Sequence, residues 1–174
     1  VAIAGIAMDM WQPYIASARA WLPDAEHKIC FDRFHVSKHL GTALDQVRRA
    51  EHRQRLADGD PLLTNTKHLW LQRAETLEPH QENVLAILRR EKLRTARAWA
   101  IKEALRALWT YRQRAAVRRF WDRWYGWAIR SRLDPVKRVA RMLQRHLDGV
   151  LRYVQHPITN GVAEGLNSKI MSIK

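Results

Sequence analysis

The chain has 174 residues, enough for one substantial hydrophobic core, and 47% of them are hydrophobic, which excludes wholesale disorder. Lysine and arginine number 31 against 17 acidic residues, a formal charge of +14, so the expected partner is a polyanion, nucleic acid first. No apolar stretch approaches the roughly 20 residues of a membrane span, and the amino terminus lacks a signal-peptide layout; the single Cys30 therefore reads as a small core residue in a reducing, cytoplasmic setting.

The first run, Val1 to Met8, mixes small and β-branched residues without alternation, the pattern of a strand buried on both faces, and it closes at Asp9. Pro13 fits the first turn of a following helix, in which Tyr14, Ile15, Ala18, Trp21 and Leu22 keep a helical period until Pro23 and Asp24 end it. Lys28, Ile29, Cys30 and Phe31 read as a second short strand, closing at Asp32. Strand, helix and strand together predict a parallel crossover, which brings Asp9 and Asp32 to the same carboxyl edge, where open sheets of this kind bind ligands. Two strands do not make a stable sheet alone. The chain also starts inside a strand pattern without methionine and stops inside a helix pattern, so it reads as a fragment with further strands expected before Val1.

After Asp32 come Arg33, Phe34 and His35, and Val36, Leu40, Ala43, Leu44 and Val47 then mark a long amphipathic helix. His35 and His39 stand four apart, a spacing that two zinc ligands on one helix can share, but no third ligand follows at metal-site spacing. A histidine beside a neighbouring carboxylate is the expected role. From about Gln46 to Gln155 there is no strand pattern, only helical runs, five or so, broken near Asp58-Gly59-Asp60-Pro61, Glu78-Pro79 and Leu133-Asp134-Pro135. Their apolar faces are Leu85 and Leu88; Ile101, Leu105 and Leu108; and Val136, Val139, Met142, Leu143 and Leu147.

Within this block Trp109, Tyr111, Phe120, Trp121, Trp124, Tyr125 and Trp127 alternate with Arg112, Arg114, Arg118, Arg119, Arg123 and Arg130. Guanidinium groups on phosphates with rings on bases is one reading. An aromatic core behind a solvated arginine face is the other, and it is the expected one for the tryptophans; the two are compatible. Arg89, Arg90, Arg94, Arg97 and Arg106 extend the basic character upstream.

Near the end, Thr159 or Asn160 can cap a helix whose positions Val162, Leu166 and Ile170 share a face, with Ala163 and Ile173 beside them and Glu164 at its edge. A carboxylate in a first helical turn is ordinarily solvated or capping. Its weight here comes from Asp9 at the other end of the chain.

Taken together, "AMDMWQPYIASARAWLPDAEHKICFDRFHVSKHL" and, after the helical interval, "ITNGVAEGLNSKI" resemble the catalytic domain of transposases of the ISL3 insertion-sequence family, within the DDE recombinase group. The resemblance covers nearly the whole chain, and "FDRFHV" and "TNGVAEGLNSKI" carry it. It implies an α/β fold, mostly α over this chain: a partial ribonuclease-H-like sheet interrupted by a large all-helical insertion before the last catalytic helix. Residues 1–45 would be core, 46–156 the insertion, and 157–174 the final helix. The implied activity is DNA strand cleavage and strand transfer at insertion-sequence ends, with two Mg²⁺ or Mn²⁺ ions. Asp9 and Glu164 would be catalytic and hold the metal, with Asp32, His35 and Asn160 in support, and Asp32 is the other contender for the part of Asp9. Arg112, Arg114, Arg118, Arg119, Arg123 and Lys169 are the DNA contacts expected, and the partners are terminal repeats, target DNA and further copies of the chain on DNA. The first acidic residue of the triad has no match and is expected upstream of Val1, which would leave this chain inactive alone. The residues themselves leave three alternatives: a non-enzymatic basic helical nucleic-acid-binding module, a related nuclease, and an inactive transposase remnant.

Overall fold

The structure, a computed structural model, describes residues 3–155. Of these, residues 3–36 and 145–155 cluster in one compact unit, and Ser37–Gln144 in a second.

In the first unit β1 (Ile6–Met8) pairs in parallel with β2 (Ile29–Phe31), in the register Ile6 to Ile29, Ala7 to Cys30 and Met8 to Phe31. Helix α1 (Gln12–Trp21), with Pro13 in its first turn, and the single turn α2 (Ala25–Lys28) make the crossover that the punctuation predicts. Three expectations need correction. The first strand is shorter than the apolar run, because β2 offers only three residues to pair with, and Ile3 is exposed. β1 is not buried on both faces: Ile6 and Ala7 are only half-buried, whereas β2 is buried throughout. Lys28 ends α2 rather than opening β2; left-handed Asp24 (φ 57°) starts that turn, and the Lys28 ammonium donates to the Pro23 carbonyl at 2.6 Å. Along α1 only Ile15 is buried, while Trp21, on the predicted apolar stripe, is 86% exposed.

Helix α9 (Leu147–Gln155) packs on β2. A Cβ at Gly149 would lie 2.5 Å from the Phe31 ring, so glycine permits the approach, and Arg152 donates to the Ile29 carbonyl. Cys30 is buried, which raises its thiol pKa.

His146 meets Phe31 edge-on, with centroids 5.2 Å apart, and its Nε2 lies 3.5 Å from Gln12 Nε2. Burial, then the charges of Arg145 and Arg19, lower its pKa. A histidine pKa depressed by folding gives stability that is full above the unfolded value and lost as pH falls through the folded one. The denaturation midpoint is therefore expected to drop between about pH 8 and about pH 5 more steeply in the native chain than in His146→Gln. Equal slopes in urea titrations of the two proteins would contradict this.

The second unit is helical, and no strand occurs among its residues. Helix α3 (Arg33–Ala57) starts in the first unit and continues into it, and all five predicted positions, Val36, Leu40, Ala43, Leu44 and Val47, are buried. It is followed by α4 (Lys67–Leu71), α5 (Pro79–Arg90), α6 (Arg94–Leu105), α7 (Arg114–Arg130) and α8 (Asp134–Arg145). The breaks fall where the turn residues put them. Gly59 takes φ 82° after α3, a Glu78–Gln81 capping box opens α5, and Arg132 takes φ 59° before α8.

Helices are more numerous than expected, because α4 and the 3₁₀ turns at Ala74–Thr76 and Arg106–Thr110 are too short for a period to register. Yet α4 carries the fully buried Trp70, whose indole N–H donates to Thr66 Oγ1 at 3.2 Å. Lys102 of α6 reaches the carbonyls of Trp70, Leu71 and Gln72, placing a cation on the carboxyl end of α4. Burial lowers the Lys102 pKa, and Glu103, at 3.0 Å, works against that shift. No helix of the described residues is long and apolar enough to cross a membrane.

Candidate functional site

Because Met8 lies opposite Phe31 in a parallel pair, the next residues, Asp9 and Asp32, leave the two strands at the same carboxyl edge. Their surroundings differ. The Asp9 side chain is 36% exposed; its Oδ1 accepts the Met10 N–H at 2.6 Å, and its Oδ2 is 3.6 Å from Nδ1 of His35. His35 comes from the first turn of α3, and its own side chain is only 11% exposed. Asp32 is 3% exposed and caps α3: its Oδ1 accepts the Phe34 N–H at 2.9 Å, and its carbonyl accepts the Val36 N–H at 3.3 Å. From α9 the buried Tyr153 comes near it, its pKa raised first by burial and then by the Asp32 charge, with Arg33 opposing.

Hard carboxylate oxygens suit a magnesium-like ion, and Asp9 has the accessibility for one. Among the described residues no group of three or more His, Cys, Asp or Glu side chains could hold a metal, so a complete cage would need a further donor. Glu164, Asn160 and Lys169 lie outside the described residues. His39 follows His35 by one turn, and its residue falls in the second unit.

The aromatic and arginine block resolves by helix face. In α7, Val117, Trp121, Trp124 and Ala128 recur at helical spacing and are buried. Trp121 donates to Gln144 Oε1 at 2.7 Å and Trp124 to the Ile101 carbonyl at 2.9 Å, as buried indoles require. Arg112, Arg114, Arg118, Arg119 and Arg123 are exposed, and Arg119, Asp122 and Arg123 line a shallow cleft. Several upstream arginines serve the fold instead. Arg89 lies 4.5 Å over the Trp99 ring, Arg97 donates to the Ser131 carbonyl at 3.0 Å, and Arg106 pairs with Glu75 and Glu103.

The profile of the ISL3 group of DDE transposases, described simply as "Transposase", matches residues 2–174. The chain belongs to the ISL3 transposase family. It is 29% identical to the transposase for insertion sequence element IS1001 of Bordetella parapertussis, over 99% of this chain and 43% of that protein. Transposases for IS1557 from Mycobacterium tuberculosis strains CDC 1551 / Oshkosh and H37Rv are 26% identical over 85% of this chain and 38% of their own length. The chain thus spans about two-fifths of the curated relatives it matches. No solved structure matches it.

For this ISL3 chain, sequence patterns missed the seam of Gly149, Arg152 and Tyr153 against β2 and Asp32. Gly149 and Tyr153 do stand four apart on one helical face, which is the available signal. What they face, more than a hundred residues away in sequence, follows only from the packing of α9 on β2.

Proposed function

We propose that this chain is part of the catalytic domain of a DNA transposase that cleaves and joins strands at insertion-sequence ends in a metal-dependent reaction. The observation that carries the reading is the half-exposed Asp9 at the carboxyl edge of a parallel βαβ unit, within 3.6 Å of His35, in a family of transposases. Asp9 and Glu164 would hold the divalent ions, Mg²⁺ or Mn²⁺, which when bound supply charge stabilisation to the attacking and leaving oxygens of an in-line displacement at phosphorus. His35 keeps the Asp9 carboxylate oriented towards solvent. Asp32 holds the start of α3, and with it His35, in place. Asn160 would orient Glu164 or the substrate.

The exposed arginines Arg112, Arg114, Arg118, Arg119 and Arg123, with Lys169, would neutralise DNA phosphates, a role that the charge of +14 favours. The fold proposed is a ribonuclease-H-like core with a helical insertion. Support comes from the separate clustering of Ser37–Gln144 and from the packing of α9 on β2. Several copies would act together on paired ends.

The test uses the full-length protein on a supercoiled plasmid carrying its element ends, with Mg²⁺ or Mn²⁺. Glu164→Gln is expected to lose strand cleavage by roughly a hundred-fold or more, since a metal clamp contributes several kcal/mol, while DNA binding persists. A Glu164→Gln protein that cuts like the native one removes the catalytic reading.

A further inference from the structure

Aromatic side chains that this fold buries have clear places: Trp70, Trp121 and Trp124 are at most 2% exposed. Among the exposed rings, three stand within a few residues of the two carboxylates that end the strands. Trp11, two residues past Asp9, is 54% exposed; Tyr14, on the next turn, is 55% exposed; and Phe34, two residues past Asp32, is 56% exposed. Trp11 and Tyr14 meet edge to face, centroids 4.6 Å apart at 87°, an arrangement that aromatic pairs favour. Phe34 stands edge-on to His35 at 5.8 Å, and His35 is the residue beside Asp9. Exposed aromatic rings thus occur on the exits of both strands.

We propose that Trp11, Tyr14 and Phe34 form a stacking platform for unpaired DNA bases beside Asp9. The inference rests on the catalytic reading above and adds the form of its substrate: a strand end whose terminal bases have left the duplex. Base faces are closed to side chains inside an intact stack and open in an unpaired strand, and every base offers such a face. Charge selects this occupant. The exposed Arg33, next to Phe34, can take a phosphate of the same strand. An apolar protein surface would instead have to desolvate the Asp9 carboxylate, and a second copy would bring another +14 to the contact.

The test measures binding by the full-length protein of a fluorescent short oligothymidylate and of a duplex of equal length, by anisotropy and without metal. Trp11→Ala, Tyr14→Ala and Phe34→Ala are each expected to weaken single-strand binding about ten-fold, within the range for one base–aromatic stack, with duplex binding changed less than about two-fold. Trp11→Phe should keep most of the affinity. So should Trp127→Ala, which removes an exposed ring from α7. A 2-aminopurine in the strand should be quenched by native protein and not by Trp11→Ala. Unchanged single-strand affinity and quenching overturn the proposal, as does equal loss on duplex. A shift in oligomeric state with single-strand binding intact would reassign the rings to protein contact and overturn it too. No cleavage is read, so failure of the catalytic assignment leaves a stacking result standing, and loss of the platform leaves the Asp9 assignment untouched.

Discussion

Asp9→Asn in the full-length protein is expected to abolish metal-dependent strand cleavage at nearly unchanged stability, while Asp32→Asn is expected to lower stability and spare much of the cleavage. The two residues end adjacent parallel strands and differ in what their oxygens do. Asparagine at position 9 keeps an oxygen for the Met10 N–H and loses the charge that a cation needs. Because that side chain is 36% exposed, the change should cost the fold no more than about 0.5 kcal/mol, and cleavage roughly a hundred-fold or more. At position 32 the charge is buried on the amino end of α3, where an anion is favoured and its bond to the Phe34 N–H is charge-assisted. Asparagine also caps helices well, so the loss should be about 1–2 kcal/mol rather than unfolding. Urea titration and plasmid cleavage on the same preparations decide it. Retained cutting by Asp9→Asn beside loss in Asp32→Asn would exchange the two roles.

Much of the first unit is legible in sequence because its punctuation is local. An apolar run, a proline in the first turn of a helix and a Pro-Asp stop define the crossover, and the handedness and direction of such units do the rest. The strand lengths are not legible, since a residue joins a ladder only where the partner has one to offer, and β2 has three. The distinction between Asp9 and Asp32 was partly available. Asp32 is followed at once by helix, the position of a capping residue, whereas two residues intervene between Asp9 and α1.

Long amphipathic helices gave up their cores readily, as the five buried positions of α3 and the Trp121–Trp124 stripe of α7 show. Periodicity finds a stripe but not the surface that covers it, which is why Trp21 shares a period with Ile15 and yet stands in solvent. It also fails below two turns of helix. Trp70 sits on five residues of α4, and the lysine that caps them is some thirty positions away.

Replacing Glu51 by alanine is expected to cost the helical unit about 3–4 kcal/mol, a large share of the roughly 5–15 kcal/mol that holds a domain folded. Glu51 lies on α3 and is 6% exposed, a place where a carboxylate is stable only if its oxygens are taken. They are taken by the start of α6: Oε1 accepts the Arg94 N–H at 2.8 Å, and Oε2 accepts the Thr95 N–H at 2.7 Å and its hydroxyl at 2.6 Å. The residue at the N-cap of α6 is Leu93, which has no side-chain oxygen to offer, and no acidic residue occupies the first turn. Glu51, more than forty residues earlier in the chain, therefore does from outside what a serine or aspartate does from within. Alanine would strand these donors, and Thr95 is fully buried, at about 1–3 kcal/mol for each buried donor left unpaired. Glu51→Gln keeps one acceptor and should lose about half as much. The damage should also travel, because α6 carries the Lys102 that holds the carboxyl end of α4. Hydrogen exchange should therefore quicken in α4 as well as at the start of α6 in Glu51→Ala. An unfolding free energy from urea titration lowered by less than about 1 kcal/mol, with α4 protection unchanged, would mean that the first turn of α6 is held by its own packing and not by this carboxylate.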